Sequence, residues 1–264
     1  MRLRWLVLLV AALLGSCRPV GFAPMYVVIE LAPTGNLRAA INYGNTVLAQ
    51  KDAKTGEARG ISVELARELS WRLGVPLEIV PYDAAGKVTA DATKNVWDVA
   101  FFAIDPKRAE DIAFTAPYVI IEGGYAVPDS SPIRSAEEVD RDGVRIAVSN
   151  RSAYDLYLSR NLKHAQLVRA PSPAASFEQF VRDGLPVLAG VKPALVEWAK
   201  SHPGYRVLDG RFMVIEQAMA TQKDRERSAI YLREFVEDVK SNGLVAAALA
   251  RSGQKNATIA PPAN

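Results

Sequence analysis

The sequence predicts an α/β protein of two lobes, each a sheet flanked by helices, joined by a two-crossover hinge. Three observations predict it. Short apolar strands alternate with segments of helical period, and that alternation gives parallel sheets covered by helices. The alternation restarts near residue 135, so the chain carries two strand and helix sets of similar size. Extended segments near residues 123–127 and 209–215 connect the sets, and paired crossovers make a hinge. A chain of 264 residues accommodates two lobes of about 100 to 130 residues, each able to bury an adequate core.

Residues 37–42 (LRAAIN) read as a short buried strand. In residues 61–73 (ISVELARELSWRL), Ile61, Leu65, Leu69 and Leu73 recur at helical spacing and form one stripe, which Gly74 ends. Residues 77–80 give a second strand, 98–104 (DVAFFAI) a third, and 118–127 an extended segment broken by Gly123-Gly124. Ser135 and Glu138 form a capping-box pattern. Strand 144–148, helix 152–161 and strand 165–168 follow, then helix 177–182, strand-like 185–189, helix 194–200 and an extended return over 213–220. Residues 224–241 read as a long amphipathic helix with Ile230, Phe235 and Val239 on its apolar side. A terminal helix ends near Arg251-Ser252-Gly253, and residues 260–264 read as a frayed tail. The expected lobes are residues 35–125 with 214–260, and residues 126–213.

Composition excludes several classes. With 49% hydrophobic and 23% charged residues, the chain is a folded globular protein rather than a disordered one. Lys+Arg 32 against Asp+Glu 29 gives +3, too small and scattered for a nucleic-acid surface. One cysteine cannot form an internal bridge. His164 and His202 lie in polar segments without partners at metal spacing, so both read as surface residues. No phosphate loop, nucleophile elbow or zinc-protease helix occurs. Asp83, Asp91, Asp98 and Asp105 read as capping or solvated loop carboxylates. The residues imply neither a cofactor nor an enzyme.

The amino terminus carries Arg2 and Arg4, an apolar run over residues 5–14, then Gly15-Ser16-Cys17. That order reads as an export signal within residues 1–24, because the apolar run is too short to span a bilayer. Leu14-Gly15-Ser16-Cys17 also resembles a bacterial lipobox, which would lipidate Cys17. A plain secretory signal, or a true start at Met25, are the other two readings.

The informative stretch is Phe102-Ala103-Ile104-Asp105-Pro106-Lys107-Arg108, followed by AEDIAFTAPY over residues 109–118. Arg108 lies just past a strand's carboxyl end, on a turn set by Pro106, where open α/β sheets place ligands. A guanidinium there can grip a carboxylate through two hydrogen bonds, or it can pair with Glu110 or Asp111 at the surface. Residues 113–118 (AFTAPY), 60–66 (GISVELA) and 144–158 (VRIAVSNRSAYDLYL) resemble, in the right order, motifs of the family 3 bacterial extracytoplasmic solute-binding proteins. These are the amino-acid-binding components of ABC importers, and the resemblance runs over the chain after residue 35.

The resemblance implies a periplasmic-binding-protein type II fold and a monomer, periplasmic or membrane-anchored, that closes on a small carboxylate-bearing solute for a membrane ABC permease. It makes Arg108 the carboxylate anchor and Ser152 the hydroxyl donor from the second lobe. Asn42, Tyr43 and Asn45 fall in the loop after the first strand, where the family places polar residues and an aromatic wall, and Tyr43 reads either as a ligand-stacking ring or as a buried structural one. Strand neighbours face opposite ways, so of Phe101 and Phe102 one is expected in the core and one, Phe102, in the cleft. Ala103 stands where relatives carry Ser or Thr, so its contact would come from backbone or water. Arg151 replaces a glycine. The aspartate that holds an α-ammonium has no counterpart in Gly190-Val191-Lys192-Pro193, and Lys192 could instead favour a second anionic group. Relatives of this fold also include cyclohexadienyl and arogenate dehydratases, which keeps a periplasmic dehydratase open as an alternative, beside a ligand sensor without an importer.

Overall fold

The computed structural model describes residues 22–254 and 257–263. The export signal and Cys17 lie outside the described residues. Helix α1 (Met25–Leu31) precedes β1 (Leu37–Asn42), the small hairpin of β2 (Gln50–Lys51) and β3 (Ala58–Arg59), α2 (Ile61–Leu73) and β4 (Leu77–Tyr82). Next come α3 (Ala85–Ala90), β5 (Val99–Ala103) and the 17-residue β6 (Ile112–Pro128). The second set holds β7 (Arg145–Ser149), α4 (Ala153–Asn161), β8 (Gln166–Ala170), α5 (Pro173–Arg182), β9 (Val187–Val191), α6 (Lys192–Ser201) and β10 (Tyr205–Val207). The chain returns through β11 (Met213–Gln222) and ends with α7 (Glu226–Ser241), α8 (Leu244–Ser252) and β12 (Thr258–Ile259).

Strand β1 and helix α2 begin and end where the apolar pattern places them, because each buries a continuous face. Gly74 caps α2 in the left-handed conformation at φ 68°, which a glycine adopts without a Cβ penalty. In sheet order the strands run β4-β1-β5-β11-β6-β9-β7-β8. The sheets expected in the two lobes are therefore joined by hydrogen bonds. The reason is β6, whose first part pairs with β11 and whose last part pairs with β9 and β10. Gly123 permits the close crossing at the midpoint, since a Cβ there would stand 2.7 Å from Met213 Cγ. The apolar cores stay divided: one pair of clusters covers the two faces of the first half, and a second pair, around Ile146 and Leu188, covers the other half.

Four local expectations need correction. Ile230 is 54% exposed, because α7 turns Ala229, Leu232 and Val236 inward with Phe235 and Val239. Ser135 starts only a 3-10 turn with no side-chain cap, while the Glu138 carboxylate accepts the Arg134 N–H. The tail is not frayed through Ala263: β12 pairs with β6, the Ala260 N–H donates to Tyr118, and Lys240 donates to the Pro261 carbonyl. Asp98 and Asp105 are buried rather than solvated. Asp98 receives Arg38 and Arg225, each at 2.8 Å, so two cations balance one desolvated carboxylate. That cluster also draws the Arg38 pKa upward, first through its hydrogen bond to Asp98.

Candidate functional site

A cavity of about 600 Å³ opens between the halves, at the carboxyl ends of β1 and β5 on one side and β7 and β9 on the other. Parallel strands ending at a change of direction leave such a crevice, since the loops that follow diverge. Its floor is set by Arg108. After Ala103 the chain turns over Asp105, whose Oδ1 accepts the Lys107 N–H at 2.9 Å and whose Oδ2 accepts Arg160 Nη2 at 2.8 Å. This turn drives Arg108 inward until it is 2% exposed.

The guanidinium of Arg108 joins the two halves. Its Nη1 donates to the Ala103 carbonyl at 2.8 Å, its Nη2 to the Arg151 carbonyl at 2.9 Å, and it sits 5.2 Å from the Phe102 ring centroid. Among the described residues its buried Nε has no partner. Burial pulls the Arg108 pKa down to about 10, against the attraction of Asp105 and with the repulsion of Arg151. The group therefore remains a cation at neutral pH. Two carbonyl dipoles and an aromatic face solvate it, but among the described residues no carboxylate pairs with it, and a buried cation in that condition attracts an anion.

Helix α4 aims its first turn at the same place. Ser152 caps it by accepting the Asp155 N–H at 3.0 Å, and the Asp155 carboxylate accepts the Arg151 N–H at 2.7 Å and Arg169 Nε at 2.9 Å. Arg151 adopts φ 56°, a left-handed conformation that costs a residue with a Cβ more than it costs glycine. The positive end of the helix then adds to the field of Arg108. As a test of the cap, Ser152→Ala is expected to lower stability by about 1 kcal/mol, read as a drop of roughly 2 to 4 °C in melting temperature.

Asn42, Tyr43, Asn45, Phe102 and Ala103 line the cavity together with Arg108 and Ser152. Asn42 and Asn45 fold the loop that carries them, their side-chain oxygens accepting the N–H groups of Gly44 and Val47. Tyr43 lies under Lys51, and burial raises its pKa. Both Phe101 and Phe102 touch the cavity instead of one alone. They leave the strand on opposite faces, but the cavity wraps the end of β5 and reaches both.

Lys192 does not join them. As the first residue of α6 it runs back along β6, donates to the Gly210 carbonyl at 2.6 Å and lies 3.6 Å from Glu122, which also holds Arg211. The reading of Lys192 as an anion receptor is corrected on that ground: its ammonium is committed where the crossovers pass. Gln217, Phe177 and Trp198 also line the cavity. Gln217 enters because β11 pairs it with Ala103 across the sheet, a contact between residues far apart in sequence. Phe177 and Trp198 meet edge to face at 5.3 Å from α5 and α6. The cavity's carboxylates, Asp83 and Glu178, are exposed, and Asp83 pairs with Lys87 at 2.7 Å. His164 and His202 are exposed too, the latter stacked on Trp198.

Two α/β halves, two strand crossings and a crevice between them are the architecture of the periplasmic-binding-protein type II fold. The model of the bacterial extracellular solute-binding proteins, family 3, matches residues 38–254, and the chain belongs to that family. Its place is accordingly outside the cytoplasm. Among the described residues no helix is long and apolar enough to cross a membrane, and no group of three His, Cys, Asp or Glu side chains could hold a metal ion.

Solved structures share the fold. The solute receptor for L-cysteine of Neisseria gonorrhoeae is similar at a TM-score of 0.75 and 22% identity, over 86% of this chain and 92% of that one. A mutant of ArgBP from T. maritima gives 0.74 and 19%, over 86% and 99%. The ancestral amino acid-binding protein AncCDT-1, described as a precursor of cyclohexadienyl dehydratase, gives 0.73 and 20%, over 86% and 99%. No curated protein sequence matches the chain.

Proposed function

We propose that the protein captures a small carboxylate-bearing solute, an amino acid or a related organic acid, and presents the closed form to the permease of an ABC importer. Residues 35–125 with 214–260 act as one lobe and 126–213 as the other, and the molecule works as a monomer, periplasmic or anchored through Cys17. One observation carries this reading: Arg108, buried at the cavity floor, bonded to one carbonyl from each half and left with an unpartnered Nε. Such a cation gains from an incoming carboxylate what two neutral carbonyls cannot supply. The solute receptors among the similar structures support the same use of the fold. No bond is made or broken in this reading, since the carboxylates at the cavity are exposed and one is paired, unlike a general acid tuned by burial.

A thermal-shift screen tests it, running dicarboxylates, aromatic acids and amino acids each beside its neutral amide. A carboxylate at 100 times its dissociation constant is expected to stabilise by about 2.7 kcal/mol, and its amide not at all. Equal stabilisation by acids and amides defeats the assignment.

A further inference from the structure

We infer that the solute is an apolar acid with a flat, aromatic body and no ammonium beside its carboxylate. This rests on the carboxylate-capture reading and extends it from the anchor to the rest of the ligand. The charge around the anchor decides the first half. An α-ammonium is attached one carbon from the carboxylate, so it would share the buried surroundings of Arg108. The polar groups that line the cavity there are neutral: Ser149, Ser152 and Gln217, all buried. Asp105 is the nearest counter-charge to Arg108, yet Arg160 and the Lys107 N–H hold its two oxygens and it does not line the cavity. Asp83 and Glu178 stand exposed. An ammonium placed beside the guanidinium would therefore be desolvated, unpaired and repelled by a like charge, each of which opposes binding.

The walls decide the second half. Phe177 and Trp198 form an edge-to-face pair at 5.3 Å on the second half, and Tyr43 and Phe102 face the cavity from the first. Aromatic surface on both sides of a closing crevice favours a planar apolar body, which buries its faces when the halves meet. A cavity of about 600 Å³ has room for a ring with a short acid tail.

Isothermal titration of the protein with matched pairs tests the class: 3-phenylpropionate against L-phenylalanine, and indole-3-propionate against L-tryptophan. Within each pair only the ammonium differs. The ammonium-free acid is expected to bind at least about tenfold more tightly, with a change in tryptophan fluorescence as Trp198 is covered. Equal or tighter binding of either amino acid overturns the inference, and so does the absence of binding by both aromatic acids. Titrating Arg108→Met separates this failure from that of the underlying reading. Amino acids that win in the unaltered protein and lose binding in the variant leave carboxylate capture standing while the class falls. Aromatic acids that bind both proteins equally remove the anchor itself.

Discussion

Arg108→Met is expected to weaken carboxylate binding by about 2 to 5 kcal/mol, which is about 30-fold to several thousand-fold in dissociation constant. The size follows from what methionine removes. It fills similar volume at the cavity floor but offers no donor, so an arriving carboxylate is desolvated without a partner. It also leaves the Ala103 and Arg151 carbonyls without the donors they now have, which loosens the tie between the halves. The ligand-free protein provides the control. There, removing a buried cation that lacks an anionic partner offsets the loss of its two hydrogen bonds, because both terms are of the order of a few kcal/mol. Calorimetry should thus show a large change in affinity beside a small change in unliganded melting temperature. Arg108→Lys sharpens the test: an ammonium keeps the charge but not the fork, so it is expected to recover part of the affinity. Unchanged affinity in Arg108→Met would remove Arg108 from the binding surface.

How much of this was legible in sequence depends on whether the controlling contact is local. Helix α2 and strand β1 carry their burial pattern within a dozen residues, and Gly74 marks its own stop, so both could be read directly. Arg108 was legible for the same reason, since Pro106 and the end of β5 place it within five residues. Lys192 was not. Its direction depends on Glu122 and Gly210, which reach it only because β6 pairs Gly123 with Val191. Gln217 is likewise set by a register between β11 and β5, with Ala103 more than a hundred positions away. The same holds for Asp98, whose partners Arg38 and Arg225 come from opposite ends of the chain. In each case the residue type was visible and its company was not, because strand pairing brings distant segments together without a trace in either one.

Gly86→Leu is expected to hold the two halves apart and so abolish tight binding without unfolding either. Gly86 belongs to α3 in the first half, and a Cβ built on it would stand 2.7 Å from the Asn150 carbonyl oxygen and 2.8 Å from Arg151 Cβ in the second. Backbone and a Cβ cannot yield as a side-chain tip can, so the contact is relieved mainly by separation of the halves. Separation in turn breaks the bond from Arg108 to the Arg151 carbonyl and withdraws the α4 terminus from the anion position. Within α3 itself leucine favours helix over glycine by up to about 1 kcal/mol, so the first half should fold at least as well. A ligand stabilises the closed state only through contacts that the open state lacks. Removing those contacts is expected to lower affinity by at least about 100-fold, equivalent to roughly 2.7 kcal/mol. Small-angle scattering should then find the same expanded radius with and without solute, and the unliganded melting temperature unchanged or higher. A Gly86→Leu protein that contracts on adding solute and binds as the unaltered protein does would show that capture does not require the halves to meet at this point.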